Sequence, residues 1–580
     1  MWLILLIPVA LLIFCFRLFF ISRKGGGAPS DADEELTTPS VATAAAESQE
    51  KGPPDLKPIS NSEAERQQPE QVPPPSSGPL PDYDPTKDLS DYHYPPLELL
   101  IVSGDTRPAA NPADLEAAKN RMINLLTSYQ IGVQSISISV GPSVSAYEVV
   151  PGAGTRVSRF KHLEEELNLG LGSSNIRIVA PIPGKGAIGI EVPNKVPGTV
   201  GIGSILATTA FQQCSFALPI AIGRATDYEP VIVDLTALPH LLVAGATGQG
   251  KSTGLHAIIV SLLYKKHPAE LKLVLMDPQK IELGLYRSIE KHFLAKLPGD
   301  DEDAVVSDGK QAVKTLNSLC GEMDRRHDLL HEALAHEITE YNGRFKRRLL
   351  NLQKGHEYLP YIVLVAEDFS DLLTVAAPEV EAATIRLAER GARVGIHLII
   401  SLSRLTSDVL HQRLIEHFPA RMAYKLTSIE QSKTVLGEPG AEQLLGNGDL
   451  LFKRDGTITR VQGAFIDTPE VARIANFIGS QRGYPQAYQL PEYIDPNQPK
   501  SRDFDLADRD PLFEEAARLI VVNQLGSTSL IQRKMKLGYN RAGRLMEQLE
   551  AAGVVGPGAR SLPRDVLIKT EMELNRYLNP

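Results

Sequence analysis

Cysteine is nearly absent from this chain, with three in 580 residues: Cys15, Cys214 and Cys320. They lie far apart and in no paired spacing, which excludes a zinc ribbon or a disulfide framework and fits free thiols in a reducing compartment. A surplus of positive charge is also missing. The net charge is −10, so the chain carries no general basic coat for nucleic acid, although a local basic cluster is compatible with that total. Length allows about three or four domains.

The amino terminus holds a long hydrophobic run, Trp2 to Ile21, interrupted only by Pro8 and Arg17. Some 20 apolar residues suffice to cross a bilayer. Arg17, Arg23 and Lys24 sit toward its C-terminal end, which predicts a single-pass anchor over residues 1–24 in the inner (cytoplasmic) membrane, with the bulk of the chain cytoplasmic. A cleaved signal peptide is the alternative, and the run lacks the basic start such a peptide needs. From Gly25 to about Tyr94 the chain is rich in Pro, Ser, Ala, Gln and acidic residues, including Pro73-Pro74-Pro75. Too little apolar surface is present there to offset ordering entropy, so residues 25–94 read as a disordered tether.

The stretch with chemistry in it is Gly245, Ala246, Thr247, Gly248, Gln249, Gly250, Lys251, Ser252. It matches the phosphate-loop pattern, Gly-x4-Gly-Lys-Ser/Thr. His240 to Ala244 reads as a buried strand entering it, and Thr253 to Tyr264 as a helix leaving it, with apolar residues at helical spacing. In such a loop, backbone N–H groups surround phosphates, Lys251 adds charge, Ser252 can ligate magnesium and the helix start favours the anion. Residues Gly245 to Thr253 are therefore the nucleotide contacts, with ATP and Mg2+ as the expected ligands.

Further strands follow. Leu271 to Met276 ends in Asp277-Pro278, His397 to Ser401 is another apolar run, and Tyr361 to Ala366 is followed by Glu367 and Asp368. An apolar strand closed by two carboxylates is the Walker B arrangement, where one carboxylate helps hold magnesium and the other orients the attacking water. This predicts an α/β motor with a RecA-like parallel sheet over residues 216–480. Residues 95–215, with a helix at Asn111–Tyr129 and alternating strands from Ser135 onward, read as a small α/β subdomain before it. Thr315 to Arg348 is helical and ends in Arg344, Lys346, Arg347 and Arg348; a charge run of this kind is usually a solvated face, with a DNA-lining role as the sharper alternative.

Residues 481–509, with Pro485, Pro491, Pro496 and Pro499, read as a second linker. Beyond it, Phe513, Ala516, Ala517, Ile520 and Val521 form an amphipathic stripe. Two more helices and short strands between Val554 and Ile568 complete a winged helix-turn-helix over 510–580. Arg541 and Arg544 lie on the face of its third helix opposite the apolar one, where Arg can pair with guanine edges, and Arg533, Lys534 and Lys536 lie nearby for phosphates.

Pro239-His-Leu-Leu-Val-Ala-Gly-Ala-Thr-Gly-Gln-Gly-Lys-Ser, Asp277-Pro-Gln-Lys-Ile-Glu-Leu, Leu359-Pro-Tyr-Ile-Val, Gly395-Ile-His-Leu-Ile-Ile, Phe418-Pro-Ala-Arg and Gly440-Ala-Glu-Gln-Leu-Leu-Gly follow one another in an order that resembles the FtsK/SpoIIIE family of DNA translocases. Gly141-Pro-Ser-Val-Ser-Ala-Tyr-Glu and Ala180-Pro-Ile-Pro-Gly-Lys resemble that family's α subdomain, and Gly538-Tyr-Asn-Arg-Ala-Gly-Arg-Leu its γ subdomain. The resemblance implies a homo-hexameric motor that pumps double-stranded DNA during chromosome segregation, oriented by DNA sequence, in contact with a Xer-type site-specific recombinase and alongside cell-division proteins. It also implies catalytic roles for Glu367, Asp368 and Arg404, with Ser252 and Glu367 on the metal, and base contacts by Asn540, Arg541 and Arg544. Two departures stand out. The family reads Asp-Glu where this chain has Glu367-Asp368, and Ser403 stands where the family's sensor Gln would be. They open a second reading, an ATP-binding but hydrolysis-poor paralogue acting as a DNA scaffold. A third, a motor for protein export or conjugation, shares the loop and the anchor but does not account for a duplex reader.

Overall fold

The computed structural model describes residues 81–100, 112–182, 184–299, 303–405, 409–493, 510–537, 539–556 and 564–578. The expected anchor and residues 25–80 of the tether lie outside the described residues. Among the described residues no helix is long and apolar enough to cross a membrane.

The small subdomain is a four-stranded antiparallel sheet. Its strands are β1 (Val133–Val140), β2 (Val144–Pro151), β3 (Arg177–Val179) and β4 (Ile188–Pro193), in the order β1-β2-β4-β3. The alternating Ser-Ile-Ser-Ile run forms β1, with Ile136 and Ile138 partly buried against Met122, Leu126, Tyr147, Phe160 and Ile190. Helices Pro112–Ser128 and Glu164–Leu171 complete that core.

The motor is built on ten strands: β5 (Pro219–Ala225), β6 (Pro230–Asp234), β7 (Leu241–Ala244), β8 (Leu271–Met276), β10 (Val305–Val306), β11 (Tyr361–Ala366), β12 (Ile396–Leu402), β13 (Ala420–Tyr424), β14 (Asp449–Arg454) and β15 (Thr457–Gly463); β9 is the short strand Ala295–Lys296 outside this sheet. Their order is β10-β8-β11-β12-β7-β13-β14-β15-β5-β6. The expected parallel sheet is present from β10 to β13. From β13 to β6 every pairing is antiparallel, so the sheet is mixed. The strands read as continuous apolar runs because both faces are covered. Leu241, Val243, Leu273 and Val363 point into one core with the helix Lys251–Leu263, while Leu242, Ala244, Val274 and Leu364 point into the other.

Three expected boundaries move. Residues 200–211, placed in the small subdomain, belong to the motor: Val200, Ile202, Ile205, Leu206 and Phe211 are buried in its core. Residues 81–94, read as tether, are anchored instead. Leu89 and Tyr92 enter the same core, and Tyr83 N–H donates to Lys346 O (2.7 Å). Proline content misled here, because a few large apolar residues suffice to pin a short segment. The second linker also begins later than residue 481. Tyr488–Gln489 (β16) pairs with β9, and the Gln481 amide exchanges hydrogen bonds with both backbone groups of His93 (2.8 and 3.0 Å). The remainder, 494–509, lies outside the described residues.

The C-terminal module has helices Phe513–Asn523, Thr528–Met535 and Tyr539–Ala551 around Phe513, Ala517, Ile531, Leu545 and Leu549. Among the described residues its wing includes the bridges Gly526↔Arg564 and Val555↔Val566, and residues 557–563 lie outside the described residues. A fourth helix, Glu571–Leu578, buries Leu574 in the same core.

Candidate functional site

The phosphate loop hangs between two strand ends. Gly245 N–H donates to Leu402 O at the end of β12 (3.3 Å), and Ala246 N–H donates to Lys425 O just after β13 (3.0 Å). Gly248 (φ +77) and Gly250 (φ +110) take the left-handed backbone that lets the chain curl. Beneath the loop lies Tyr424, the last residue of β13, with 1% of its surface exposed. A Cβ at Gly245 would come within 2.7 Å of the Tyr424 Cβ, and one at Gly254 would collide with the Tyr424 hydroxyl. These two glycines are thus demanded by the packed tyrosine.

Facing the loop, the end of β11 presents the carboxylates. Ser252 Oγ donates to Glu367 Oε1 (2.9 Å), while Glu367 Oε2 is buried without a partner. Burial pushes the Glu367 carboxyl up to about 7, against the lowering effect of the Ser252 hydrogen bond and with Asp368 adding to the rise. Asp368 sits at φ +43, a left-handed conformation that is costly for a residue with a Cβ. Its Oδ2 accepts from Gln279 Nε2 (3.1 Å), and its Oδ1 is buried and unpartnered. Unsatisfied oxygens of a serine–carboxylate pair suit a hard, oxygen-seeking cation such as magnesium; Ser252 and Glu367 would hold it.

These groups open on a cavity of about 910 Å³. Thr247, Gly248, Gly250, Lys251, Ser252, Thr253, Glu367 and Asp368 line it. Gly245, Ala246 and Gln249 frame the loop from behind, with Gln249 O accepting from Gly448 N–H (3.1 Å). Arg404 is not brought to the cavity: its side chain is 69% exposed and pairs with Asp371 (2.9 Å). Asp277 lines the cavity but is engaged by its own loop, accepting from the N–H groups of Gln279, Lys280, Glu282 and Leu283 (2.9–3.1 Å). Its work is to turn residues 278–283 so that Gln279 reaches Asp368. Sequence reasoning missed Gln279, the wall Leu445–Gly448, and Phe465, which is 48% exposed on the rim. For the wall a signal existed: Gly446-Asn447-Gly448 is a turn composition.

In the C-terminal module Arg541, 49% exposed, is held by Asp510 through two hydrogen bonds of 2.9 Å. Arg533, Lys534, Lys536 and Arg544 are exposed; among the described residues they have no ion-pair partner. The Asn540 side chain lies outside the described residues. The charge-rich helices are otherwise engaged: Arg344 pairs with Glu340 (2.6 Å), Arg348 Nε donates to Pro81 O (2.8 Å), and Lys346 lies over the Tyr358 ring. A solvated, internally tied face accounts for that run.

Three family models match consecutive parts of the chain: the FtsK alpha domain over residues 94–194, the FtsK/SpoIIIE family over 202–407 and the FtsK gamma domain over 507–569. The chain belongs to the FtsK/SpoIIIE family. Within it, a DNA translocase FtsK of Chlorobaculum tepidum is 40% identical over 500 residues, which are 85% of this chain and 61% of that protein. The DNA translocase FtsK of Oceanobacillus iheyensis is 38% identical over 486 residues (83% of this chain, 60% of that protein), and that of Clostridium acetobutylicum 37% over 481 (82% and 60%). The chain therefore spans about 60% of the length of these curated relatives.

Proposed function

We propose that this chain is an ATP-driven translocase of double-stranded DNA, acting in chromosome segregation at cell division and oriented by its C-terminal winged helix. The observation that carries it is the Ser252–Glu367 contact of 2.9 Å in the cavity that Lys251 also lines, which joins a phosphate cradle to a buried carboxylate pair in one site. The relatives named above are themselves DNA translocases, and the gamma-domain match adds a DNA-reading module to the motor.

The residues divide the work. Backbone N–H groups of the loop and Lys251 hold the phosphates of ATP, and Ser252 with Glu367 would hold a magnesium ion, which when bound offsets phosphate charge. Asp368, fixed by Gln279, stands where an attacking water is oriented; its side chain is one methylene shorter than the family's Glu. Gln279 supplies an amide beside the carboxylates where Ser403 supplies none. Assembly as a homo-hexamer, contact of the winged helix with a Xer-type recombinase, and tethering to the inner membrane through residues 1–24 belong to the same proposal.

The test is displacement of a triplex-forming third strand from duplex DNA. The full chain with ATP and magnesium should strip the strand, and Lys251→Ala should not. ATP binding without displacement or DNA-stimulated turnover would overturn the motor and favour the hydrolysis-poor scaffold, the reading that the strained, shorter Asp368 supports.

A further inference from the structure

One wall of the cavity is held from a distance. Gly446 (φ +86), Asn447 (φ +51) and Gly448 (φ +87) are three successive residues in the left-handed region. The two glycines take this backbone freely and Asn447 tolerates it, so the shape of the wall depends on the hydrogen bonds that hold it. Here Asp449 does much of the holding: its Oδ2 accepts from Leu445 N–H (2.9 Å), and its own N–H donates to Gly446 O (3.0 Å). The wall in turn bears on the phosphate loop through the Gly448 N–H to Gln249 O bond (3.1 Å). Gly250 packs so close to Gly448 that a Cβ on it would meet that backbone at 3.0 Å.

Asp449 is fully buried and grips Arg460 with both oxygens, at 3.0 Å to Nε and 2.6 Å to Nη2. Arg460, 3% exposed on β15, has one more nitrogen to direct, and Nη1 donates to Glu191 Oε2 (2.8 Å). Glu191 lies on β4, in the sheet of the small subdomain. We propose that Glu191 and Arg460 are positioning residues that link the placement of the small subdomain to the shape of the Leu445–Gly448 wall, and through it to the phosphate loop. A guanidinium is a rigid planar fork. Moving Glu191 therefore tilts the plane shared with Asp449 instead of stretching one bond. Separating a buried pair leaves an uncompensated charge, so the three groups move together. Coupling of this kind is reciprocal: a ligand that favours one shape of the wall favours one seating of the subdomain by the same factor.

The inference rests on the cavity being the nucleotide site proposed above, and hydrogen exchange on the full chain separates the two. With AMP-PNP and magnesium, amides of residues 177–193 should exchange about fivefold or more slowly than in the free protein, the lower range of coupling between linked sites. Glu191→Gln should bind the analogue within about twofold of the wild-type affinity, because Asp449 still holds Arg460 and Leu445, yet lose that protection. Arg177→Gln removes the other partner of Glu191 (3.3 Å) but leaves the link to Arg460, and should keep it. Protection that persists in Glu191→Gln, or disappears equally in Arg177→Gln, overturns the relay. Should Glu191→Gln fail to fold, Arg460→Lys, which keeps the charge but loses the fork, must show the same loss of protection. If the wild type does not bind AMP-PNP, it is the nucleotide site that fails.

Discussion

At the level of single residues, the protonation of Glu367 sets a pH dependence with a defined sign. Its carboxyl is raised from 4.5 to about 7 by burial, so the folded, ligand-free protein takes up a proton that the unfolded chain gives away between those values. The associated stability is fully present below about pH 4.5 and is lost as pH rises through 7; a shift of this size corresponds to at most about 3–4 kcal/mol. Glu367→Gln should flatten that part of the stability–pH curve in thermal melts of the free protein. Magnesium-dependent nucleotide binding has the opposite slope, since a metal ligand must be deprotonated. Affinity should fall up to about tenfold per unit below pH 7, and Glu367→Gln should weaken the dependence on magnesium and remove the slope. Tyr424 gives a second prediction. Gly254→Ala collides with its hydroxyl and should cost about 1–3 kcal/mol of stability, the usual range for overpacking, with Tyr424→Phe restoring part of it. Equal losses in single and double mutants would show that the collision is relieved elsewhere.

At the level of elements, what was legible followed from local pattern. The phosphate loop, the strand ending in Glu367-Asp368 and the third helix of the C-terminal module each declare themselves within about fifteen residues, where periodicity and capping operate. The antiparallel half of the large sheet does not, because β5 and β15 are paired across more than two hundred residues of chain and nothing local specifies that pairing. Gln279 was unreadable for the same reason: its meaning comes from Asp277 turning the loop toward β11. The anchored segment 81–94 was hidden by its prolines. In the winged helix, the ion pair Asp510–Arg541 divides two residues that sequence spacing made equivalent. Arg544, with no ion-pair partner among the described residues, is the better candidate for base reading under the proposed function. Arg544→Ala should relax sequence preference by about 1–3 kcal/mol in duplex binding. Asp510→Asn should strengthen binding to specific and random duplexes alike, because it removes a negative charge and releases Arg541. An unchanged affinity would mean that Arg541 points away from DNA in the complex.

At the level of the whole molecule, a net charge of −10 must be reconciled with the polyanionic partner proposed above. At physiological salt, charges farther apart than about 8 Å are largely screened, so the overall repulsion weakens with distance and a compact basic cluster can dominate at contact. The exposed cations Arg533, Lys534 and Lys536 make such a cluster on the second helix of the reader and its C-terminal cap. Each phosphate they neutralise releases counterions, giving a slope of about −0.9 per contact in a plot of log affinity against log salt. Replacing all three with Gln in the full chain should flatten the slope for random duplex by about 2 to 3 and leave AMP-PNP affinity unchanged. A slope that stays as steep would place the phosphate contacts on the motor, and the winged helix would then choose sequence without supplying the grip.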